Sequence, residues 1–192
     1  MTETTLQTTR DWQGLNLPAP GTFRIDPAHT NVGFVATHMM FTKVRGNFAD
    51  VSGSVTVAEN PADSVVEITV RTASVTTGSE DRDNHLRSAD FFDVENYPEM
   101  NFRSTNIQHV GGAEFAVTGE LTIRGITKPV EFTVTFEGIG VNPYGTEVAG
   151  VSGRADVNRE DWGLTWNAAL ETGGVLVGRK VTLAIEIQGA RV

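Results

Sequence analysis

From Thr22 onward, one segment excepted, hydrophobic residues recur at every second position. Val32, Phe34, Ala36 and His38 alternate with Asn31, Gly33, Val35 and Thr37; Val51, Gly53, Val55 and Val57 alternate with small polar residues; Val66, Ile68 and Val70 alternate with Glu67, Thr69 and Arg71. The same period carries Met100, Phe102 and Ser104, then Phe115 to Ile123, then Val130, Phe132, Val134 and Phe136. A seventh run spans 147–157, and Val181, Leu183, Ile185 and Ile187 form an eighth. Side chains of a strand point alternately to its two faces, so each run is a strand with one apolar face. Eight such faces must be hidden, either between two sheets or inside one sheet closed on itself, and closure also removes the edges. The expected fold is all-β, an eight-stranded antiparallel barrel.

Composition agrees. Val, Ile and Thr supply 55 of the 192 residues against 9 Leu, and β-branched side chains lose more freedom in a helix than on a pleated surface. Glu59-Asn60-Pro61, Gly111-Gly112 and Asn142-Pro143-Tyr144-Gly145 are turn signals that make neighbouring strands antiparallel. Only the stretch from Gly78 to Tyr97 breaks the period. There Ser79 is placed to cap, acids crowd the first turn, and Leu86 with Phe91 or Phe92 supplies an apolar side, which predicts one short helical insert between Ser79 and Ala89. Residues 1–20 are polar and Thr-rich and end on Pro18-Ala19-Pro20-Gly21, so they are expected to form an extended N-terminal arm before a barrel domain over 21–192.

Several function classes are excluded at this level. With 15 Lys+Arg against 24 Asp+Glu the net charge is -9, which does not suit a surface that neutralises phosphates, and no nucleic-acid partner is expected. The chain has no cysteine, hence no disulfide, thiolate metal site or thiol nucleophile. Its four histidines, at 29, 38, 85 and 109, include no pair at ligand spacing on a strand or helix, so no metal site is expected. No apolar run is long enough for a transmembrane segment, and the first residues lack the basic and apolar regions of a secretory signal; a cytoplasmic location is the expectation.

Four groups of residues are recognisable in order: Asp26-x-x-His29 leading into Val32–His38 and Gly46-x-Phe48; Arg82-Asp83-x-His85-Leu86 with Asp90-Phe91-Phe92-Asp93 and Tyr97-Pro98; Gly119-x-Leu121-Thr122-Ile123-x-Gly125-x-Thr127-Lys128-Pro129-Val130; and Arg159-x-Asp161-Trp162-Gly163. Together they make the chain from Gly21 onward resemble the YceI-like family. The resemblance implies a lipocalin-like barrel whose elongated apolar pore holds a polyisoprenoid or other long-chain amphiphile, such as an isoprenoid quinone or a prenyl pyrophosphate. It implies binding without catalysis and no cofactor beyond the lipid itself. Many relatives so characterised are periplasmic.

An eight-stranded barrel has an interior that side chains either fill or leave open for one small ligand. A strand of ten residues is ~33 Å long, and tilt reduces the height to roughly 25 Å, so a polyprenyl chain would have to fold or protrude. The candidate lining is Val32, Phe34, Ala36, Phe48, Phe102, Phe132, Val134 and Leu183 from the strands, with Leu86, Phe91 and Phe92 from the insert. Each of these residues equally suits plain core packing. His38 shares a face with Phe34 and Ala36, and three readings stand: a core imidazole, a hydrogen-bond donor to a ligand head group, or a general base. Arg82, His85 and Arg87 are the one concentrated basic group, candidates for head-group contacts or for ion pairs with Asp81, Asp83 and Asp90. Two alternatives to a lipid carrier remain at this level: a lipocalin-shaped enzyme using His38 as acid–base group, and a stress-response protein with a filled lumen. A homodimer through an exposed strand or the N-terminal segment is also compatible with the sequence.

Overall fold

The structure, a computed structural model, describes residues 9–192. Strands β1 (Thr9–Trp12) and β2 (Leu15–Pro18) form a hairpin. They are followed by β3 (Gly21–Ile25), β4 (Asn31–His38), β5 (Thr42–Phe48), β6 (Val51–Val57), β7 (Val65–Arg71) and β8 (Val75–Thr76). Helix α1 (Glu80–Arg87) then precedes β9 (Glu99–Gly111), β10 (Glu114–Ile123), β11 (Ile126–Val141), β12 (Glu147–Asn158) and β13 (Val177–Arg191).

The strands after the hairpin close into a barrel in the order β12-β11-β10-β9-β7-β6-β3-β13, with β13 pairing back onto β12. All ladders are antiparallel, as a chain of short turns requires. Eight staves result because β3 and β4, β5 and β6, and β7 and β8 are broken halves of single paths: β4 pairs with β13 and β5 just as β3 pairs with β13 and β6. The eight-stranded antiparallel barrel with one helix is therefore the fold of this chain.

The breaks are local and are bonded by side chains and turn carbonyls. Between β3 and β4, the Asp26 carboxylate accepts the Ala28 amide (3.0 Å) and bonds His29 Nδ1 (2.7 Å), capping a turn that begins at Pro27. The His29 bond, opposed by partial burial, holds the Asp26 pKa below its ordinary value. Between the other halves, Ser74 accepts the Ala49 amide on its carbonyl (3.3 Å) and the Asp50 amide on its hydroxyl (3.0 Å), while Thr72 donates to Pro98 (3.0 Å) and Tyr97 (2.8 Å) carbonyls. Each break thus replaces the ladder bonds it removes.

Three sequence expectations change. Residues 1–20 are not an extended arm throughout: Thr9 to Pro18 fold back on the two-residue loop Gln13-Gly14, both at positive φ (52° and 82°), the type I′ geometry that suits strand twist. The remainder of that segment, 1–8, lies outside the described residues. Thr42–Phe48, which the alternation did not single out, is a strand because its inner row is Val44, Gly46 and Phe48, and the glycine hides the period. The helix spans Glu80–Arg87, yet Ser79 forms no side-chain cap. Asp83 turns back instead and accepts the Thr77 amide (2.8 Å) and hydroxyl (2.5 Å).

Arg87 pins this helix to the barrel wall, donating to the carbonyls of Ala73 (2.9 Å) and Val75 (2.8 Å) and to Asn84 Oδ1 (3.0 Å). Arg87→Ala is expected to leave both carbonyls without donors and to cost about 1–3 kcal/mol, read as a lower denaturant midpoint. An unchanged midpoint would show that the pin is dispensable.

Candidate functional site

Closure gives every inward side chain the same enclosed volume, and that volume is open: a cavity of about 670 Å³ runs through the barrel interior. This falls in the usual size range of ligand sites, roughly 300–1,000 Å³. One end lies at α1, where Asp81, Arg82 and His85 line it, and the other at the hairpin, where Arg10, Leu17, Pro18 and Pro61 do. Between them Phe34, Phe48, Phe102, Phe132, Val134 and Leu183 form an apolar wall. The filled lumen weighed above is not what the structure contains.

Glycines keep this interior open. The Phe34 ring lies over Gly46 and the Phe102 ring over Gly119, and a Cβ on either glycine would collide with the ring. Rings pressed flat on the wall leave the axis free, whereas larger residues beneath them would push them into the lumen. The aromatic contacts continue around the barrel, with Phe34 5.9 Å from Phe48, Phe48 edge-on to Phe92 at 5.4 Å, and Phe102 edge-on to Phe132 at 5.4 Å.

The candidates from the sequence are distributed as follows. Val32, Phe34, Ala36, His38, Phe48, Leu86, Phe91, Phe92, Phe102, Phe132, Val134 and Leu183 all line the cavity. Of the basic trio, Arg82 and His85 line it and Arg87 does not, because its guanidinium is spent on backbone carbonyls behind the helix. Arg82 donates to Thr77 Oγ1 (2.7 Å) and the Thr77 carbonyl (3.0 Å), rather than pairing with the neighbouring acids. His85 Nε2 meets Asp90 Oδ2 at 2.8 Å, and its ring stands edge-on to Trp166 at 4.6 Å and Phe91 at 5.1 Å. His38 sits at the same end, opposite Val177 in register, with no hydrogen-bonded carboxylate among the described residues.

Other lining residues were not singled out from the sequence. Trp166 comes from the irregular segment between Gly163 and Leu176, where no period marks an inward face. Leu17 belongs to the hairpin; Leu15 and Leu17 alternating just after a residue-Gly loop were the available signal. Arg159 is buried beneath the open end, where it donates to the carbonyls of Leu164 (2.6 Å), Gly178 (2.9 Å) and Val177 (3.3 Å). Burial lowers its pKa, Glu160 opposing. Trp162 donates Nε1–H to the Leu121 carbonyl at 3.0 Å. These two residues brace the end of the barrel. Among the described residues no helix is long and apolar enough to cross a membrane, and no three His, Asp or Glu side chains are placed to hold a metal ion.

Residues 23–189 match a family model described as a YceI-like domain. A UPF0312 protein of Staphylococcus aureus is 37% identical over 161 residues, which cover 83% of this chain and 91% of that protein. Among solved structures, Burkholderia cenocepacia BcnA superposes with a TM-score of 0.75 at 24% identity, covering 85% of this chain and 98% of the other. A polyisoprenoid binding domain from Saccharophagus degradans, implicated in plant cell wall breakdown, superposes with a TM-score of 0.69 at 14% identity, covering 90% and 99%. At these identities the two structures speak for the fold, whereas the domain match and the staphylococcal relative span the barrel itself and place this chain in the YceI-like family.

Proposed function

We propose that this protein binds a polyisoprenoid or similar long-chain lipid, tail inside the barrel and polar head at the α1 end, and so sequesters or carries it. The observation that carries the reading is an apolar cavity of about 670 Å³ inside the barrel with polar groups gathered at its ends. The polyisoprenoid binding domain of Saccharophagus degradans, which shares the fold, lends the ligand class. Burial alone supplies the affinity: each methylene contributes about 0.8 kcal/mol, so twenty give on the order of 16 kcal/mol gross against an association cost of about 4–15 kcal/mol.

At the α1 end Arg82 and His85 stand among Asp81, Asp83 and Asp90, and His85 already holds Asp90. Such a mixed rim suits a neutral head that accepts or donates hydrogen bonds, a quinone or an alcohol, better than a pyrophosphate, whose charge those acids would repel. His38 fits this rim as a head-group contact. Met40 and Phe41, exposed on the β4–β5 loop that follows it, extend apolar surface outward from the opening. No step of bond making is needed for this role, and we read the protein as a binding protein rather than an enzyme.

Solvent extraction of the purified protein followed by mass spectrometry tests the reading directly, a prenyl chain being the expected product and an empty extract from protein incubated with polyprenol overturning it. Ala36 lies mid-strand on the cavity wall, so Ala36→Trp is expected to remove the extracted lipid while leaving the unfolding midpoint close to wild type. Undiminished lipid would mean the tail does not pass Ala36; a large loss of stability, beyond the typical 1–3 kcal/mol of overpacking, would mean that the wall has no slack there. Affinity for a prenyl alcohol is expected to change less than about twofold between low and physiological ionic strength; a steep fall would mark Arg82 and His85 as a clamp for an anionic head. His38→Gln retains a donor and an acceptor at about the same reach but cannot take up a proton. It is expected to shift the competition between an isoprenoid quinone and a prenyl alcohol of equal length without abolishing uptake, and an unchanged ratio would make His38 a packing residue.

A further inference from the structure

The two ends of the cavity differ. At α1 the lining residues Asp81 and Arg82 are exposed, whereas at the opposite end Leu17, Pro18 and Pro61 are buried. Leu17 and Pro18 of that closed end come not from the barrel staves, which begin at Gly21, but from the preceding hairpin, and Pro61 of the β6–β7 connection completes it. Trp12 and Leu15 pack against the cluster of Ile107, Phe115 and Val117 on β9 and β10, with the Trp12 ring 6.2 Å from Phe115 and edge-on to His109 at 5.0 Å. Leu17, only 6% exposed, thereby faces the cavity from below.

Two arginines hold the hairpin in place. Arg10 donates to the carbonyls of Ala58 (2.6 Å) and Glu59, strapping β1 to the β6–β7 connection. Arg191, at the end of β13, donates to the Ala19 (2.9 Å) and Pro20 (3.2 Å) carbonyls while its guanidinium bonds Glu147 Oε1 (2.7 Å) and lies 4.6 Å over the Phe23 ring. The stopper is thus fixed to three separate parts of the barrel rim, and it lies outside the stretch that the family model matches, which starts at residue 23.

Resting on the lipid-binding reading above, we infer that the β1–β2 hairpin is the stop that sets how long a prenyl chain the lumen accepts, with Leu17 as the side chain that the tail end meets. A chain that reaches Leu17 buries all of its methylenes. A longer one must leave its added units in water at the α1 end, where they lose the burial they have in the lipid aggregates from which a water-insoluble polyprenol is drawn.

The test offers the full-length protein an equimolar ladder of linear polyprenols differing by one isoprene unit and reads the bound distribution by mass spectrometry of the extract. Wild type is expected to show a sharp upper limit of length. Leu17→Ala deepens the end of the cavity by three carbons and should raise the ratio of the next longer homologue to the wild-type optimum by about tenfold or more, since a single methylene commonly carries about tenfold in a tight apolar pocket and an isoprene unit has five carbons. Leu17→Trp should move the optimum to shorter chains, and Leu17→Val, which keeps most of the packing, should shift it in the same direction as Ala if the Ala variant does not fold. A distribution that is the same in folded Leu17 variants as in wild type, or a wild type without an upper limit, overturns the stop while leaving lipid binding intact. A wild type that takes up none of the ladder overturns both.

Discussion

Closure of the sheet on β13 is what the remaining structure depends on. One edge of this strand pairs with β12 from Val148↔Ala190 to Asn158↔Lys180, and the other serves β4 toward the α1 end and β3 toward the hairpin end. With the β12 and β13 edges joined, the ladder runs around the barrel and leaves, among its described residues, only the short β8 with a partner on one side, and the inward side chains face one volume. The apolar alternation follows from that enclosure, since a polar group turned inward would lose water and find no partner.

An enclosed volume is ordinarily filled, because packing atoms against one another is favourable. Here it is kept open by pairing the largest inward side chains with the smallest. Phe34 over Gly46 and Phe102 over Gly119 place rings along the wall, where they cover backbone and leave the axis clear. The staves are also broken by turns at Pro27, Ala49-Asp50 and Thr72, where the Ala28, Ala49, Asp50 and Thr72 amides are bonded by side chains or carbonyls outside the ladder.

The polar residues that make the chain recognisable divide by task. Arg87, Asp83, Arg159 and Trp162 hold the α1 end together through backbone groups: Arg87 fixes the helix to the β7–β8 region, Asp83 fixes it to Thr77, and Arg159 and Trp162 tie the following segment to β10 and β13. Arg82, His85 and His38 face the cavity. A buried donor spent on a carbonyl stabilises the frame, as all three donor nitrogens of Arg159 do, whereas Arg82 gives Nε and Nη2 to Thr77 and keeps further N–H groups at the rim for a ligand.

The sequence by itself determined the class, the number of staves and most of the lumen wall. Those properties rest on the two-residue period of runs such as Val130 to Phe136, which is set by the geometry of one strand and needs no knowledge of its neighbours. The cavity-lining candidates on the strands were legible for the same reason, whereas Leu86, Phe91 and Phe92 came from the apolar side of the one segment that breaks the period. Tertiary structure alone decided whether the interior was solid or open, because that depends on which glycine lies under which ring across two strands. It separated Arg87 from Arg82 and His85, since helical spacing puts a side chain on a face but does not say that a carbonyl from β8 waits there. It also turned Thr9–Pro18 from an arm into a stopper: a short hairpin is marginal alone, and the packing of Trp12 and Leu15 on β9 and β10 that holds it comes from residues about a hundred positions away in sequence.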